Sequence, residues 1–223
     1  MDPSTNVSSI FSNAAAGAGA ASAVLMALRL RRRTGKGQLI EFAQVENFIP
    51  MICPAIMDYV FNGRVQTTMG NRDPSAAPCG CYPCSGEWQW VNITVRNDEE
   101  WAGLRRALGA PEWAEDPRFA TVLSRYGNQD ELDSYISEWT RSRQKYDVMR
   151  LLQREGVPCG PVIYPWEAFE DSQLLARDHF QEIEGPPALG TYLTPGIPWK
   201  MSRTPLRIQR TAPRLGQHNE YVY

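Results

Sequence analysis

The sequence predicts a mixed α/β protein in which long apolar helices are followed by a smaller α+β domain. Three observations predict it. Residues 14–33 are rich in alanine, leucine and methionine, a composition that favours helix. From Cys81 to Val95 the pattern changes to strand alternation about a Ser85 and Gly86 turn. Between residues 97 and 156, asparagine, aspartate and serine precede amphipathic runs, the signature of capped helices. At 223 residues, with 43% hydrophobic and 22% charged side chains, the chain has ordinary globular usage and can bury a core.

Taken in order, the first helix spans 14–33, with Ser12 or Asn13 as N-cap and Gly35 or Gly37 past its end. Gly17, Ala20, Ala21 and Ala27 give it small faces for close packing, and polar residues begin only at Arg29, so it is expected to be mostly buried. Gln38 to Phe42 reads as a short strand. Ala43 to Tyr59 reads as a second apolar helix that Pro50 and Pro54 break or kink. Gly70 to Pro78 lacks periodicity and is rich in turn formers, hence a loop.

Trp88, Trp90, Asn92 and Thr94 alternate with Gln89, Val91, Ile93 and Val95, a strand expected to be covered on both faces. Asn97 and Asp98 cap a helix through Leu108. Asn128 or Asp130 starts another ending near Trp139, and Ser142 caps a third that stops at Gly156. A short strand over Val157 to Tyr164 precedes short helices near Trp166 to Glu170 and Gln173 to Arg177. Pro187, Pro195, Pro198, Pro205 and Pro213 exclude a long helix from the tail. The expected divisions are 1–70, helical; 71–178, a small α+β domain; and 179–223, a proline-rich segment returning to the first domain or to a partner.

The net charge of −2 offers no field for nucleic acid or an anionic membrane. Ala14 to Leu28 is apolar but short of the roughly 18 residues a bilayer requires, and its arginines follow rather than precede it, unlike a signal peptide. Five cysteines without a secretory leader read as reduced thiols in a cytoplasmic protein. Cys79, Cys81 and Cys84 could donate thiolates to zinc, but His179 and His218 are distant and no second cluster follows, so no metal is expected.

The basic run Arg29 to Lys36 reads as a helix C-terminus stabilised by the macrodipole before it reads as a phosphate site. Gly35 and Gly37 read as a stop and turn, because a phosphate cradle precedes a helix rather than following one. Trp88, Trp90, Trp101 and Trp113 read as core packing ahead of an aromatic cage.

Arg31-Arg32-Arg33-Thr34-Gly35-Lys36-Gly37-Gln38, with Ile40, Glu41 and Glu46, resembles the R-x-R-T-G-x-G-Q segment of family III CoA transferases, relatives of formyl-CoA transferase and α-methylacyl-CoA racemase. Gly70-Asn71-Arg72, Ala77-Pro78, Asp116 to Phe119, Arg125 with Asn128, Gly156-Val157-Pro158 and Pro213 to Asn219 follow in the family's order over essentially the whole chain. The resemblance implies an incomplete version of that fold: helices of a Rossmann-like large domain, then the small domain. It implies a CoA thioester as substrate with no covalently bound cofactor, a small carboxylic acid as acceptor, and either an interlocked homodimer or a separately encoded N-terminal half as partner.

The family's nucleophile is an aspartate near the start of the long helix, and its spacing to Gly17 and Gly35 falls on Asn13. A neutral amide is no such nucleophile. Asn13 is therefore a mark of an inactive copy, a binding residue with chemistry supplied elsewhere, or an N-cap; Asp2, the nearest upstream carboxylate, is too far from the helix start to replace it. Asn71, Arg72, Ser75, Ala76 and Ala77 occupy the family's substrate-side loop, which is richer in glycine in better known members. Here proline and arginine stiffen it, and Arg72 faces either a substrate carboxylate or a surface ion pair. The alternative to a transferase subunit is a non-catalytic fragment or pseudo-subunit of the same family.

Overall fold

Alanine, leucine and methionine do extend into one long helix, α1, over Ser8–Thr34. The computed structural model describes residues 8–223, so Asp2 lies outside the described residues. Helix α1 ends where Gly35 returns its amide to the Arg31 carbonyl at 2.8 Å, closing the last turn as expected. Asn13 lies inside the helix rather than at its cap, because the helix starts earlier than the apolar run suggests. That added length also corrects the length argument against a membrane span: Phe11–Thr34 has the length and hydropathy of one, a test that core helices of larger folds also pass.

The expected burial of α1 is overturned. Leu25 is 67% and Met26 66% exposed. Its packing within the chain is against α2 (Gln44–Phe48), where Phe11 meets Phe48 edge-on at 6.0 Å between centroids. Gly19 permits the approach of this segment: a Cβ there would lie 2.5 Å from Asn47 Oδ1. The run Gln38 to Phe42 has no strand, since extended backbone needs a neighbouring ladder to become one. Pro50 and Pro54 divide the second helix as anticipated, into α2, a 3-10 turn over Ile49–Ile52, and α3 over Cys53–Asn62. Each proline occupies a first turn, where its missing N–H costs no helix bond.

The second unit is a three-stranded antiparallel sheet in the order β1 (Cys79–Pro83), β2 (Trp90–Thr94), β3 (Cys159–Val162). Tyr82 opposes Val91, and Ile93 opposes Cys159. Tyr82, Val91 and Ile93 are buried with Trp101 and Leu104 of α4 (Asp98–Ala107), Leu132 and Ile136 of α6 (Gln129–Arg141), and Val148 and Leu152 of α7 (Lys145–Arg154). On the other face of β2, Asn92 is exposed. The expectation that both faces are covered is thus corrected: among the described residues, helices pack on one side.

Trp88 is not part of the strand. It sits in the hairpin loop at φ 58° and is 69% exposed, whereas Trp101 is buried and Trp113 stacks on Tyr135 at 4.6 Å. Core packing therefore accounts for Trp101 and Trp113 but not for Trp88.

Asn97 caps α4 by accepting the Glu100 amide at 2.8 Å. Gly103 lets α4 approach α7, since a Cβ there would meet the Glu155 carbonyl at 2.2 Å. A further helix, α5 over Val122–Gly127, starts at a reciprocal Thr121 and Ser124 capping box. Ser142 does not start α7. Its hydroxyl donates to the Trp139 carbonyl at 3.2 Å and so belongs to the end of α6, while Gln144 precedes α7. The short helical turns at Glu167–Glu170 and α8 (Ser172–Ala176) lie where expected. The tail forms a hairpin of β4 (Phe180–Glu184) and β5 (Thr191–Pro195), then a last turn, α9 (Asn219–Val222).

Two charges inside this unit hold it. Lys145, 3% exposed, donates to the Val162 carbonyl at 3.0 Å and to both Glu167 oxygens at 2.6 and 2.8 Å. The Lys145 ammonium, followed by the Tyr164 amide, lowers the Glu167 carboxyl below its ordinary value of 4.5. A carboxyl depressed on folding contributes stability that is present above its unfolded value and lost as pH falls through the folded one. The thermal unfolding midpoint monitored by near-ultraviolet circular dichroism should therefore fall as pH drops below 4.5, and Glu167→Gln should flatten that dependence. Arg125, at 0% exposure, is the second charge. Arg125→Met should lower stability by on the order of 3 kcal/mol in denaturant titration, because buried carbonyls lose a charged donor.

Candidate functional site

The segment 70–78 connects the apolar helices to β1, and its own side chains begin to order it. Asp73 Oδ1 accepts the Ser75 amide at 2.7 Å and the Ser75 hydroxyl at 2.6 Å. These bonds, the hydroxyl first, lower the Asp73 carboxyl, the ordinary effect of donors on an anion. The Ala76 amide then reaches the Asp73 carbonyl at 3.2 Å, and Ala77 joins the sheet by donating to the Val95 carbonyl at 2.9 Å.

Helices α5 and α6 supply the remaining anchors. Arg125 Nε donates to the Ala77 carbonyl at 2.8 Å and its Nη1 to that of Phe119 at 3.0 Å, while its guanidinium lies over the Trp101 ring at 4.8 Å. Its nearest carboxylate, Asp98, is 3.5 Å from Nη2, and burial lowers the Arg125 pKa. Gln129 Nε2 donates to the Cys79 carbonyl at 3.1 Å. Arg72 Nη2 pairs with Asp130 and lies 3.5 Å from Asp133 Oδ2, while Asp133 Oδ1 accepts the Tyr82 hydroxyl at 2.6 Å. Burial raises the Asp133 carboxyl against the opposing pull of Tyr82 and Arg72.

The five loop residues singled out in the sequence thus have distinct settings. Ala76 and Ala77 are buried, Ser75 is turned onto Asp73, and Arg72 is held by aspartates of α6. Asn71 presents an exposed side chain. Asn13 is elsewhere, on α1, where its exposed Oδ1 accepts from Gln44 Nε2 at 2.7 Å. Among the described residues, no hydrogen bond or ion pair links Asn13 to the loop.

The sequence reading missed Tyr82, Gln129, Asp130 and Asp133. A signal for two of them was present: Arg125, Gln129 and Asp133 recur every fourth residue, a polar stripe beside apolar Leu132 and Ile136. The three clustered cysteines do not converge. Cys84 is on the buried side, where burial pushes its thiol up to about 11, while Cys79 and Cys81 face the uncovered side with Thr94 and Asn92. Among the described residues, no group of three metal-ligating side chains is present.

This geometry belongs to a recognisable kind of protein. The model of CoA-transferase family III matches residues 1–219. The "Succinyl-CoA--D-citramalate CoA-transferase" of Chloroflexus aurantiacus is 31% identical over 221 residues, covering 99% of this chain and 54% of that protein. The "Succinate--glutarate CoA-transferase" of Agrobacterium fabrum is 32% identical over 192 residues, covering 85% of this chain and 47% of its own length. The crystal structure of a CAIB/BAIF family protein from Brucella suis superimposes with a TM-score of 0.79 at 28% identity, over 98% of this chain and 56% of that one. The chain thus spans about half the length of these relatives, and over that span it belongs to CoA-transferase family III.

Proposed function

We propose that the chain forms the C-terminal part of a CoA-transferase assembly, one that moves CoA from an acyl-CoA donor to a small carboxylic acid. The match along nearly the whole chain to proteins named for succinyl, citramalate and glutarate groups supports this reading. The uncovered apolar residues of α1, α2 and α3 supply the physical reason for an assembly, because such a surface in water calls for further protein against it. That cover is the remainder of the fold, in an N-terminal half or in an interlocked second copy. No cofactor beyond the CoA thioester is required.

In this reading a carboxylate attacks the donor thioester and expels CoA thiolate, leaving a mixed anhydride. The thiolate attacks the enzyme-side carbonyl, releasing the donor acid and forming an enzyme-bound CoA thioester. The acceptor carboxylate displaces the thiolate again, and the thiolate then takes the acceptor acyl group, restoring the enzyme carboxylate. Asn13 stands where that carboxylate is expected, and its amide is not a nucleophile. The loop residues Asn71, Arg72, Ser75, Ala76 and Ala77 form the substrate-side wall, with Asn71 as the side chain offered to a ligand.

The second reading is a non-catalytic pseudo-subunit, and Asn13 is the observation that favours it. The two are separated by Asn13→Asp in the chain combined with the N-terminal segment of a relative, assayed for CoA exchange between succinyl-CoA and citramalate or glutarate. If the surrounding site is intact, the aspartate should raise the rate by on the order of 10³ or more, the scale of restoring a missing nucleophile. No gain in a complex that still binds CoA would establish the pseudo-subunit.

A further inference from the structure

We propose that Asp133 is a positioning residue that fixes the 70–78 loop as a preformed wall of the acyl-transfer site. The proposal rests on the functional reading above only for what that wall faces. Asp133 holds two elements with its two oxygens. Oδ1 accepts the Tyr82 hydroxyl of β1 at 2.6 Å, and Oδ2 faces Arg72 Nη2 of the loop at 3.5 Å, with Asp130 bonded to the same nitrogen. Its side chain is 29% exposed, so competition from water is reduced and the charged contacts are strengthened.

The surrounding residues show why this is a positioning role. One helical turn before Asp133 on α6, Gln129 holds the Cys79 carbonyl, and Arg125, near the end of the preceding helix α5, holds the Ala77 carbonyl. Four-residue spacing places Gln129 and Asp133 on one side of α6, and the loop is fastened at its exit into β1 by Arg125 and Gln129 and near its entry by Arg72. The exit anchors grip backbone carbonyls and depend on no particular loop side chain. The entry anchor depends on a single side-chain pairing, Arg72 with the two aspartates, and Asp133 alone ties that pairing to the sheet. A loop ordered in this way before a ligand arrives does not draw on binding energy for its ordering. Arg72 is then a latch whose Nη2 is already committed to carboxylates, and Asn71 beside it is the exposed polar group that the latch aims.

Asp133→Asn is the appropriate variant, since it keeps the shape and an oxygen for the Tyr82 hydroxyl while removing the one of the two charges facing Arg72 that is tied to the sheet, the Asp130 pair remaining. Hydrogen exchange by NMR on the full chain should show the Arg72, Ser75 and Ala76 amides protected in the parent. The substitution should speed them about tenfold, the scale expected for loss of a charge-assisted bond, with Val91 and Ile93 unchanged. The double variant Asp133→Asn with Arg72→Ala should be no faster than Arg72→Ala alone, because both changes break one latch. Unchanged loop exchange in Asp133→Asn, or equal acceleration at Val91 and Ile93, overturns the proposal. In a reconstituted assembly that carries Asn13→Asp and transfers CoA, adding Asp133→Asn should raise the acceptor KM more than it lowers kcat. Absence of CoA transfer in an Asn13→Asp assembly that still binds CoA counts against the transferase reading, while the exchange result still decides the role of Asp133.

Discussion

A guanidinium with no exposed surface is costly unless its donors are used and its charge is answered, and Arg125 is where the small domain meets that constraint. Its Nε and Nη1 donate to the carbonyls of Ala77 and Phe119, its face lies on Trp101, and its Nη2, which has no hydrogen-bond partner among the described residues, lies 3.5 Å from Asp98 at the start of α4. Those contacts join the end of the loop, the turn before α5, and the first turn of α4. The sheet edge and the helical layer are therefore set against each other by one side chain, and the loop inherits its exit geometry from the same place. Lys145 does comparable work at the opposite edge, tying α7 to β3 and to the turn at Glu167.

The contrast with the first segment is physical. The three-stranded sheet and the helices on it enclose a core, with Tyr82, Ile93, Leu104, Phe119, Leu132 and Ile136 inaccessible to water or nearly so, whereas α1 and α3 leave Leu25, Met26, Val60 and Phe61 exposed. One part satisfies the hydrophobic requirement within the chain and the other does not. The chain spans about half the length of the relatives it matches.

Much of the fold was legible because it depends on local chemistry. Asn97 as a cap, Gly35 as a stop, Pro50 and Pro54 as breaks, and the turn at Gly86 each act over a few residues, and each is found in place. What was not legible depends on partners distant in sequence. Ser142 has cap chemistry but closes one helix instead of opening the next, and the run Gln38 to Phe42 has strand composition but no neighbour to pair with. The burial expected for α1 follows from its composition only if something covers it. At the candidate site, motif order led to the loop and to Asn13, but Arg72 could not be assigned to Asp130 and Asp133 without the fold, because 58 residues separate it from the nearer of the two. The four-residue spacing of Arg125, Gln129 and Asp133 was visible and unread, since polar residues on a helix ordinarily signal a solvated face.

The central claim is that this chain serves a CoA site it shares with further protein from the same fold. Isothermal calorimetry with CoA and with succinyl-CoA, on the purified chain alone and on the chain combined with the N-terminal segment of a relative, tests it most directly. Heat of binding from the combined sample, absent from either part alone, is the result the account predicts. Equally absent binding in the combined sample, once association of the two parts has been shown by light scattering, would contradict it.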